Sequence, residues 1–129
     1  MKDGGIKVIY YICDMEREFV PYVLAVKLKE LGFDEPCFNF YMGGFKELGK
    51  IKLVLPNNIH DSNVLAPTFS QAFRWFREKY NIHSSPKKYD ETKWWVEWGT
   101  WTSPVFETFE EAELSWLNKL IEIVESKSE

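Results

Sequence analysis

Cysteine and histidine are scarce in this chain of 129 residues, which has two of each and no long apolar run. A membrane-spanning helix needs about 18 or more consecutive apolar residues, so the sequence excludes such a helix. With so little cysteine and no secretory leader, we expect a reduced, cytoplasmic protein whose thiols pack as small hydrophobic groups. A disulfide between Cys13 and Cys37 is the alternative.

Familiar signatures of enzymes and cofactor sites are missing too. The glycines form neither a GxxxxGK[ST] nor a GxGxxG phosphate-binding pattern, and no serine lies in a GxSxG context. The potential metal ligands are Cys13, Cys37, His60 and His83. They lie far apart in the sequence, whereas a tetrahedral metal site usually includes a closely spaced pair. We therefore expect no cofactor and no bound metal.

The chain does have the composition of a globular domain, with an excess of aromatic residues. Apolar residues make up 45%, charged residues 28% and aromatic residues 17%, which fits one hydrophobic core in a single domain, 1–129. Large rings bury much area with few rotatable bonds, and they also serve binding surfaces. The net charge of -4 means that the average surface repels a nucleic-acid backbone.

Apolar residues at helical spacing predict two helices in the first two thirds of the chain. The first spans 21–31, with Pro21 in its first turn and Gly32 at the left-handed position that ends it. The second begins at Pro67 and ends at Asn81, a residue type that tolerates the left-handed conformation. Charged residues cover the outer face of each helix.

A third helix is predicted after Thr108 and Glu111, whose spacing forms a capping box. Its polar tail, 125–129, is expected to fray. Glu113 falls near the middle of the apolar arc of this helix, so its carboxylate must be paired, reach the rim or have a raised pKa. A structural ion pair and a functional acid are both open interpretations.

The remaining apolar runs predict strands. They are 6–13, 37–42, 50–55, 82–89 and 92–98. The middle two form one hairpin and the last two a second, while the polar stretch 56–66 reads as an exposed loop. The sequence thus predicts an α+β fold, with a mostly antiparallel sheet of two hairpins plus an N-terminal strand packed against three helices.

Four tryptophans lie in the ten residues TKWWVEWGTW, which begin at Thr92. Alternation along a strand assigns Trp94, Val96 and Trp98 to the core face. Trp95 shares the other face with Lys93 and Glu97, and Trp101 follows Gly99, where the register can change. We therefore take Trp95, Trp101 and Lys93 as candidates for binding a ligand or partner.

His60 and Asp61 are adjacent in the predicted loop and are the weak catalytic candidates of the chain, together with Glu113. A histidine near a carboxylate can act as a general base, although the pair is also typical of turns. An enzyme site in the 43–66 loop would bring in Tyr22 or Tyr41. It requires a pocket in which His60 reaches a carboxylate.

The densest basic patch consists of Lys87, Lys88 and Lys93. A nucleic-acid-binding surface would require these lysines and Trp95 on one continuous face. Short charge runs are more often the solvated flank of a hairpin. Nucleic acid is therefore not the expected partner.

Three stretches resemble a group of uncharacterised small proteins from gut bacteria and their prophages. They are FVPYVLAVKLKELGFDEPCF (19–38), APTFSQAFRWFREKYNI (66–82) and FETFEEAELSWLNKLIEIVESK (106–127). The resemblance implies no activity, cofactor or catalytic residue. Similar proteins begin near Met15, which suggests that residues 1–14 are an extension or that translation starts there.

The leading hypothesis is a small non-enzymatic binding or interaction protein, an accessory factor of a phage or mobile element that forms homo-oligomers or binds a protein partner. An enzyme around His60 and Asp61, and a nucleic-acid binder through the lysines and Trp95, are the alternatives.

Overall fold

The computed structural model describes residues 17–42, 48 and 52–127. Cys13, the predicted strand 6–13 and the predicted extension 1–14 lie outside these residues. The chain divides into two compact units, and the division falls between Gln71 and Ala72. The expectation of one domain stays a prediction, and each unit is described by itself below.

Helix α1, Tyr22–Glu30, confirms the first predicted helix. The amide of Ala25 donates to the carbonyl of Pro21 at 2.9 Å, so the proline lies just before the first turn, where its missing N–H costs nothing. The helix ends at Gly32, whose φ of 99° is the left-handed conformation that glycine adopts without a steric penalty. The buried residues of the helix lie on the predicted face; they are Leu24, Ala25 and Leu28.

The strand pairing of the first unit agrees with the prediction in part and adds a ladder that was not predicted. Strand β1, Phe40–Tyr41, pairs antiparallel with strand β2, Val64–Leu65, which was expected to lie in a loop. The predicted partner, 50–55, also lies antiparallel to 37–42 in its described part. Cys37 and Val54 bond each other through their amides and carbonyls, and the Lys52 amide donates to the carbonyl of Phe38 at 2.9 Å. Because Val64 and Leu65 are both buried, tertiary packing outweighs the polar residues that precede them. A short 3₁₀ helix, Pro56–Asn58, begins the connection.

Hydrogen bonds to main-chain groups join the segments of this unit. The Tyr41 hydroxyl donates to the carbonyl of Val20 at 2.8 Å in a buried position. The Val20 amide donates to the carbonyl of Pro67 at 2.8 Å, and the ring of Tyr22 meets that of Tyr41 edge to face at 5.4 Å. The strand Phe40–Tyr41 is therefore tied both to the start of α1 and to β2.

Helix α2, Phe69–Tyr80, confirms the second predicted helix with one change at its start. The Thr68 hydroxyl accepts from the amide of Gln71 at 3.1 Å, so Thr68 rather than Pro67 caps the helix. Asn81 ends it with a φ of 55°, as predicted. Trp75 is only 5% exposed, and the sequence prediction did not include it in the apolar stripe.

The second unit contains two short hairpins in its described residues. Strand β3, Lys87–Lys88, pairs with strand β4, Trp94–Trp95, which confirms the second predicted hairpin. Strand β5, Glu97–Trp98, turns at Gly99 and pairs with strand β6, Trp101–Thr102. This hairpin was not predicted, although the φ of 61° at Gly99 is the change of direction that the glycine suggested.

Helix α3, Phe109–Lys127, confirms the third predicted helix and continues past 125, where a frayed tail was expected. Its capping box is formed in a variant manner. The Glu111 amide donates to the Thr108 hydroxyl at 3.2 Å, and that hydroxyl donates to the Glu111 carboxylate at 2.9 Å. The buried face of the helix consists of Ala112, Trp116, Leu117, Leu120, Ile121 and Val124.

The fold is therefore α+β, as predicted, with three helices and antiparallel strand pairs in the part of the chain that the structure describes. The strands form separate two-stranded ladders instead of one sheet. None of the described helices has the length and apolar character needed to cross a membrane.

Replacing Thr108 with alanine tests the cap of α3. Loss of the hydroxyl leaves the amide of Glu111 without its side-chain acceptor, so we expect the free energy of unfolding to fall by about 1 kcal/mol. Denaturant titration followed by tryptophan fluorescence measures it. Glu111→Gln is the matched control, because glutamine also suits this position of a capping box. Equal losses in both variants would contradict the assignment.

Cys37 gives a second prediction, on reactivity and pH. The thiol is free and buried. Burial raises its pKa from 9.0 to about 12; the Glu35 carboxylate adds to the shift and a hydrogen bond with Gln71 opposes it. Since the thiolate is the reactive form, Cys37 should resist iodoacetamide until the protein unfolds. Mass spectrometry of peptides after labelling locates the alkylated residue.

The same pKa shift predicts a pH dependence of stability. Between pH 9 and about 12 the unfolded thiol has lost its proton while the folded one keeps it, so the unfolded state binds fewer protons and the free energy of unfolding falls as pH rises. Below pH 9 the contribution is complete. Cys37→Ala should show a shallower decline than the wild-type chain over this window. Parallel curves would refute the assignment.

Candidate functional site

A pocket of about 350 Å³ lies in the first unit between α1 and the segment that leads into β2. Its lining is Ala25, Lys29, Gly32, Phe33, Asp34, Pro56, Ile59, His60, Asp61, Asn63 and Leu65. We call this the α1 pocket. Its volume is near the lower end of the range of small-molecule sites in proteins. Apolar walls and a few polar groups are the usual make-up of such sites.

Lys29 fixes one wall of the α1 pocket. Its ammonium donates to the main-chain carbonyls of Asp61 at 2.5 Å and of Asn63 at 3.1 Å. An ammonium has three N–H donors, so these two bonds hold the head group of Lys29 against the loop. The loop is thereby tied to α1 across more than 30 residues of sequence.

His60 is held in one tautomer by its own turn. The amide of Ser62 donates to Nδ1 of the ring at 3.2 Å, and the Ser62 hydroxyl lies 2.9 Å from the same nitrogen. A nitrogen that accepts from an amide carries no proton, so the neutral ring has its N–H on Nε2. The bond to Ser62 is local turn chemistry, which was the alternative to catalysis for this histidine.

The structure brings together the two residues of the predicted enzyme site but not their expected partners. His60 and Asp61 both line the α1 pocket. Among the described residues the imidazole is hydrogen-bonded to Ser62 and to no carboxylate, and Tyr41 is buried with its hydroxyl bonded to Val20. The described residues contain no group of three or more metal ligands.

The second candidate surface is one face of the β3–β4 hairpin. Alternation and register put Lys87, Tyr89, Lys93, Trp95 and Glu97 on this face, which we call the hairpin face. Tyr89 is 53% exposed, and its ring meets the half-buried Trp95 ring edge to face at 5.0 Å. Trp95 is therefore neither a core residue nor a freely exposed platform.

Charges on the hairpin face are balanced. Lys87 pairs with Glu97, and the Lys93 ammonium lies 4.0 Å from the Glu107 carboxylate. Exposed pairs of this kind add little stability, but they leave the surface around Trp95 without a net positive charge. A phosphate backbone is thus not favoured there.

Lys88, the remaining lysine of the proposed nucleic-acid surface, lies on the opposite face of the hairpin. Its ammonium is 4.5 Å from the centre of the Trp94 ring, and the Trp94 ring also contacts Phe109 edge to face at 5.0 Å. The two faces of the hairpin therefore divide the lysines. The nucleic-acid hypothesis stays a prediction that this geometry does not favour.

The other tryptophans of the segment are less buried than alternation suggested. Val96 is fully buried, as predicted, but Trp94 and Trp98 are half-buried. Short strands near the surface cover only one side of a large ring. Trp98 pairs with Trp101 across β5 and β6, and Trp101 stacks on Trp116 at 5.9 Å. Trp101, a predicted binding residue, thus makes much of its contact with other residues of the second unit.

Asp90 shapes the turn between β3 and β4. Its carboxylate accepts from the amides of Thr92 and Lys93, both at 2.9 Å. The hydrogen bond from the Thr92 amide is the main cause that keeps the pKa of Asp90 below its ordinary value. The turn holds Tyr89 at the end of β3, and so positions the exposed half of the aromatic pair.

Glu113, the third weak catalytic candidate, is half-buried on α3. The prediction placed this carboxylate in the apolar arc of the helix. The structure agrees with it only to the extent that the residue is not exposed. The helical positions around it, Ala112, Trp116 and Leu117, are buried.

Sequence reasoning found the loop half of the α1 pocket and missed the helix half. Lys29 and Asp34 gave no signal, because a lysine on the outer face of a helix and an aspartate after it are ordinary solvated residues. The tie between Lys29 and the Asp61 carbonyl joins residues 32 positions apart in the sequence. Only a contact between distant residues could have revealed it.

Comparison of the chain with protein-family models, with functionally characterised proteins and with solved structures finds no match. The resemblance to small proteins of gut bacteria and prophages stays a prediction.

Proposed function

We propose that this protein is a non-enzymatic binding protein and that the α1 pocket is its small-ligand site. The observation that carries the proposal is a concave, largely apolar site in which two polar side chains already have hydrogen-bond partners within the protein. Lys29 is held by two carbonyls, and the His60 ring by Ser62. Pre-organised polar groups reduce the entropy lost on binding.

Catalysis is the weaker alternative for the same pocket. A general base needs a hydrogen-bonded partner that orients it and a substrate proton within reach. The orienting contacts of His60 come from Ser62, two residues away, and this pattern closes a turn. The resemblance to proteins of prophages supports an accessory role in a mobile element and adds nothing about the ligand.

A pocket-filling variant tests this proposal. We expect a screen of small molecules by ¹⁵N–¹H NMR to find compounds that shift the amide signals of Phe33, Ile59 and Asn63. Ile59→Trp, which fills the pocket from its loop side, should abolish these shifts. Leu53→Trp is the matched control, since Leu53 is 61% exposed and does not line the pocket.

Two results would remove the proposal. One is a screen at millimolar concentrations in which no compound shifts these signals. The other is binding that survives Ile59→Trp unchanged in a chain whose spectrum shows it to be folded.

The hairpin face supports a second candidate function, self-association. An exposed tyrosine beside a half-buried tryptophan, surrounded by charged groups, has the make-up of an interface centre with a polar rim. The lysines of this face are paired within one copy, Lys87 with Glu97 and Lys93 with Glu107, so a second copy that meets the same face in a two-fold dimer faces no uncompensated lysine there. Homo-oligomer formation is thus the partner interaction that we propose for this surface.

Sedimentation equilibrium over a range of protein concentrations measures self-association. We expect a reversible dimer, and we expect Trp95→Ala and Tyr89→Ala each to weaken it about tenfold or more, in line with aromatic residues at interface centres. Leu114→Ala removes an exposed apolar side chain from α3 and should leave the dimer intact. A monomer at every concentration would disprove this candidate.

A further inference from the structure

We propose that the ligand of the α1 pocket is a small zwitterion, an α-amino acid with an apolar side chain. This inference rests on the proposed function, because it names the chemical class that the pocket binds. Three features of the lining carry it: hydrogen-bond donors for a carboxylate, carboxylates for an ammonium, and an apolar wall for a side chain.

The donors for the ligand carboxylate are Lys29 and His60. Two N–H groups of the Lys29 ammonium donate to the carbonyls of Asp61 and Asn63. Among the described contacts the third N–H has no acceptor, so this is the donor that a ligand can use. With Nδ1 of His60 bonded to the Ser62 amide, Nε2–H is the donor that the neutral ring offers. Charge-assisted hydrogen bonds to a carboxylate are about twice as strong as neutral ones.

The acceptors for the ligand ammonium are Asp34 and Asp61. Both residues are exposed and line the pocket. Lys29 contributes one formal positive charge and the two aspartates contribute two negative charges. A simple anion therefore meets net repulsion, and a simple amine leaves the Lys29 ammonium without a carboxylate. A zwitterion satisfies both signs of charge at once.

The apolar wall selects for the ligand side chain. It consists of Ala25, Phe33, Pro56, Ile59 and Leu65. Ala25, Phe33 and Leu65 are buried core residues, so this wall is firm. Burial of each ligand methylene contributes roughly 0.8 kcal/mol. The volume of about 350 Å³ accommodates leucine or phenylalanine, and glycine would leave the wall uncovered.

A series of analogues tests the ligand class by NMR titration of the full chain. The probes are L-leucine, leucinamide, 4-methylpentanoate, 3-methylbutylamine and glycine. We expect L-leucine to shift the signals of Phe33, Ile59 and Asn63 and to bind at least about tenfold more tightly than each of the others. The amide and the amine lack the carboxylate, 4-methylpentanoate lacks the ammonium, and glycine lacks the side chain.

Two variants separate the charged ends of the site. Lys29→Met keeps the aliphatic stem and removes the ammonium, so it should weaken L-leucine about tenfold and leave 3-methylbutylamine unaffected or tighter. Asp34→Asn, an isosteric change at an exposed residue, should weaken L-leucine and spare 4-methylpentanoate. If Lys29→Met disturbs the loop, the Asp34→Asn result and the analogue series still decide the matter.

The two ways of failing can be told apart. Equal affinity for L-leucine, leucinamide and 4-methylpentanoate overturns the zwitterion while the pocket still binds ligands, so the proposed function stands. If neither these probes nor any compound of the broader screen shifts the pocket signals, the proposed function and this inference fail together.

Discussion

Side-chain hydrogen bonds to main-chain groups are the interaction on which this structure depends, because its strands are too short to satisfy the backbone by themselves. Each described ladder contains two residues per strand, whereas buried amides and carbonyls must be paired almost without exception. Side chains supply the missing partners. The Tyr41 hydroxyl bonds the Val20 carbonyl, the Ser103 hydroxyl accepts from the Val96 amide, and the Trp116 indole donates to the Ser84 carbonyl. A few hydroxyl and indole groups thus order the loops by pairing with their amides and carbonyls.

Helices could be predicted from the sequence because their signals are local. Pro21 and Gly32 bound α1, Asn81 ends α2 and Thr108 caps α3, and each acts within one turn of its own position. Strand pairing is different, since a two-residue strand has almost no pattern of its own. Val64–Leu65 follows a polar stretch, and its choice of Phe40–Tyr41 as partner reflects burial in the assembled unit. The α+β class and the antiparallel contact of 37–42 with 50–55 were therefore accessible from the sequence, whereas the pairing of Phe40–Tyr41 with Val64–Leu65 was not.

The candidate site shows the same division. A loop rich in turn residues pointed to His60 and Asp61, and both line the α1 pocket. Lys29 was assigned to the outer face of α1, which is correct for its Cα but not for its ammonium. A lysine has a long, flexible stem, so helical periodicity fixes where the side chain starts and says little about where the charge ends. Here it ends on the carbonyls of Asp61 and Asn63, and that end of the side chain joins α1 to the loop.

The way in which the tryptophan rings are covered indicates that the excess of aromatic residues serves mainly stability. Lysine stems and ammonium groups shield tryptophans that the small unit cannot enclose: Lys88 lies over Trp94 and Lys119 lies 5.2 Å from the centre of the Trp101 ring. Such cation–π contacts contribute about 0.5–1 kcal/mol at exposed sites and keep a large apolar surface partly dry. Trp95 lacks such a contact among the described residues and meets a tyrosine that is itself exposed. The tryptophan-rich segment thus chiefly closes a small core, while Trp95 packs against the exposed ring of Tyr89 at its edge.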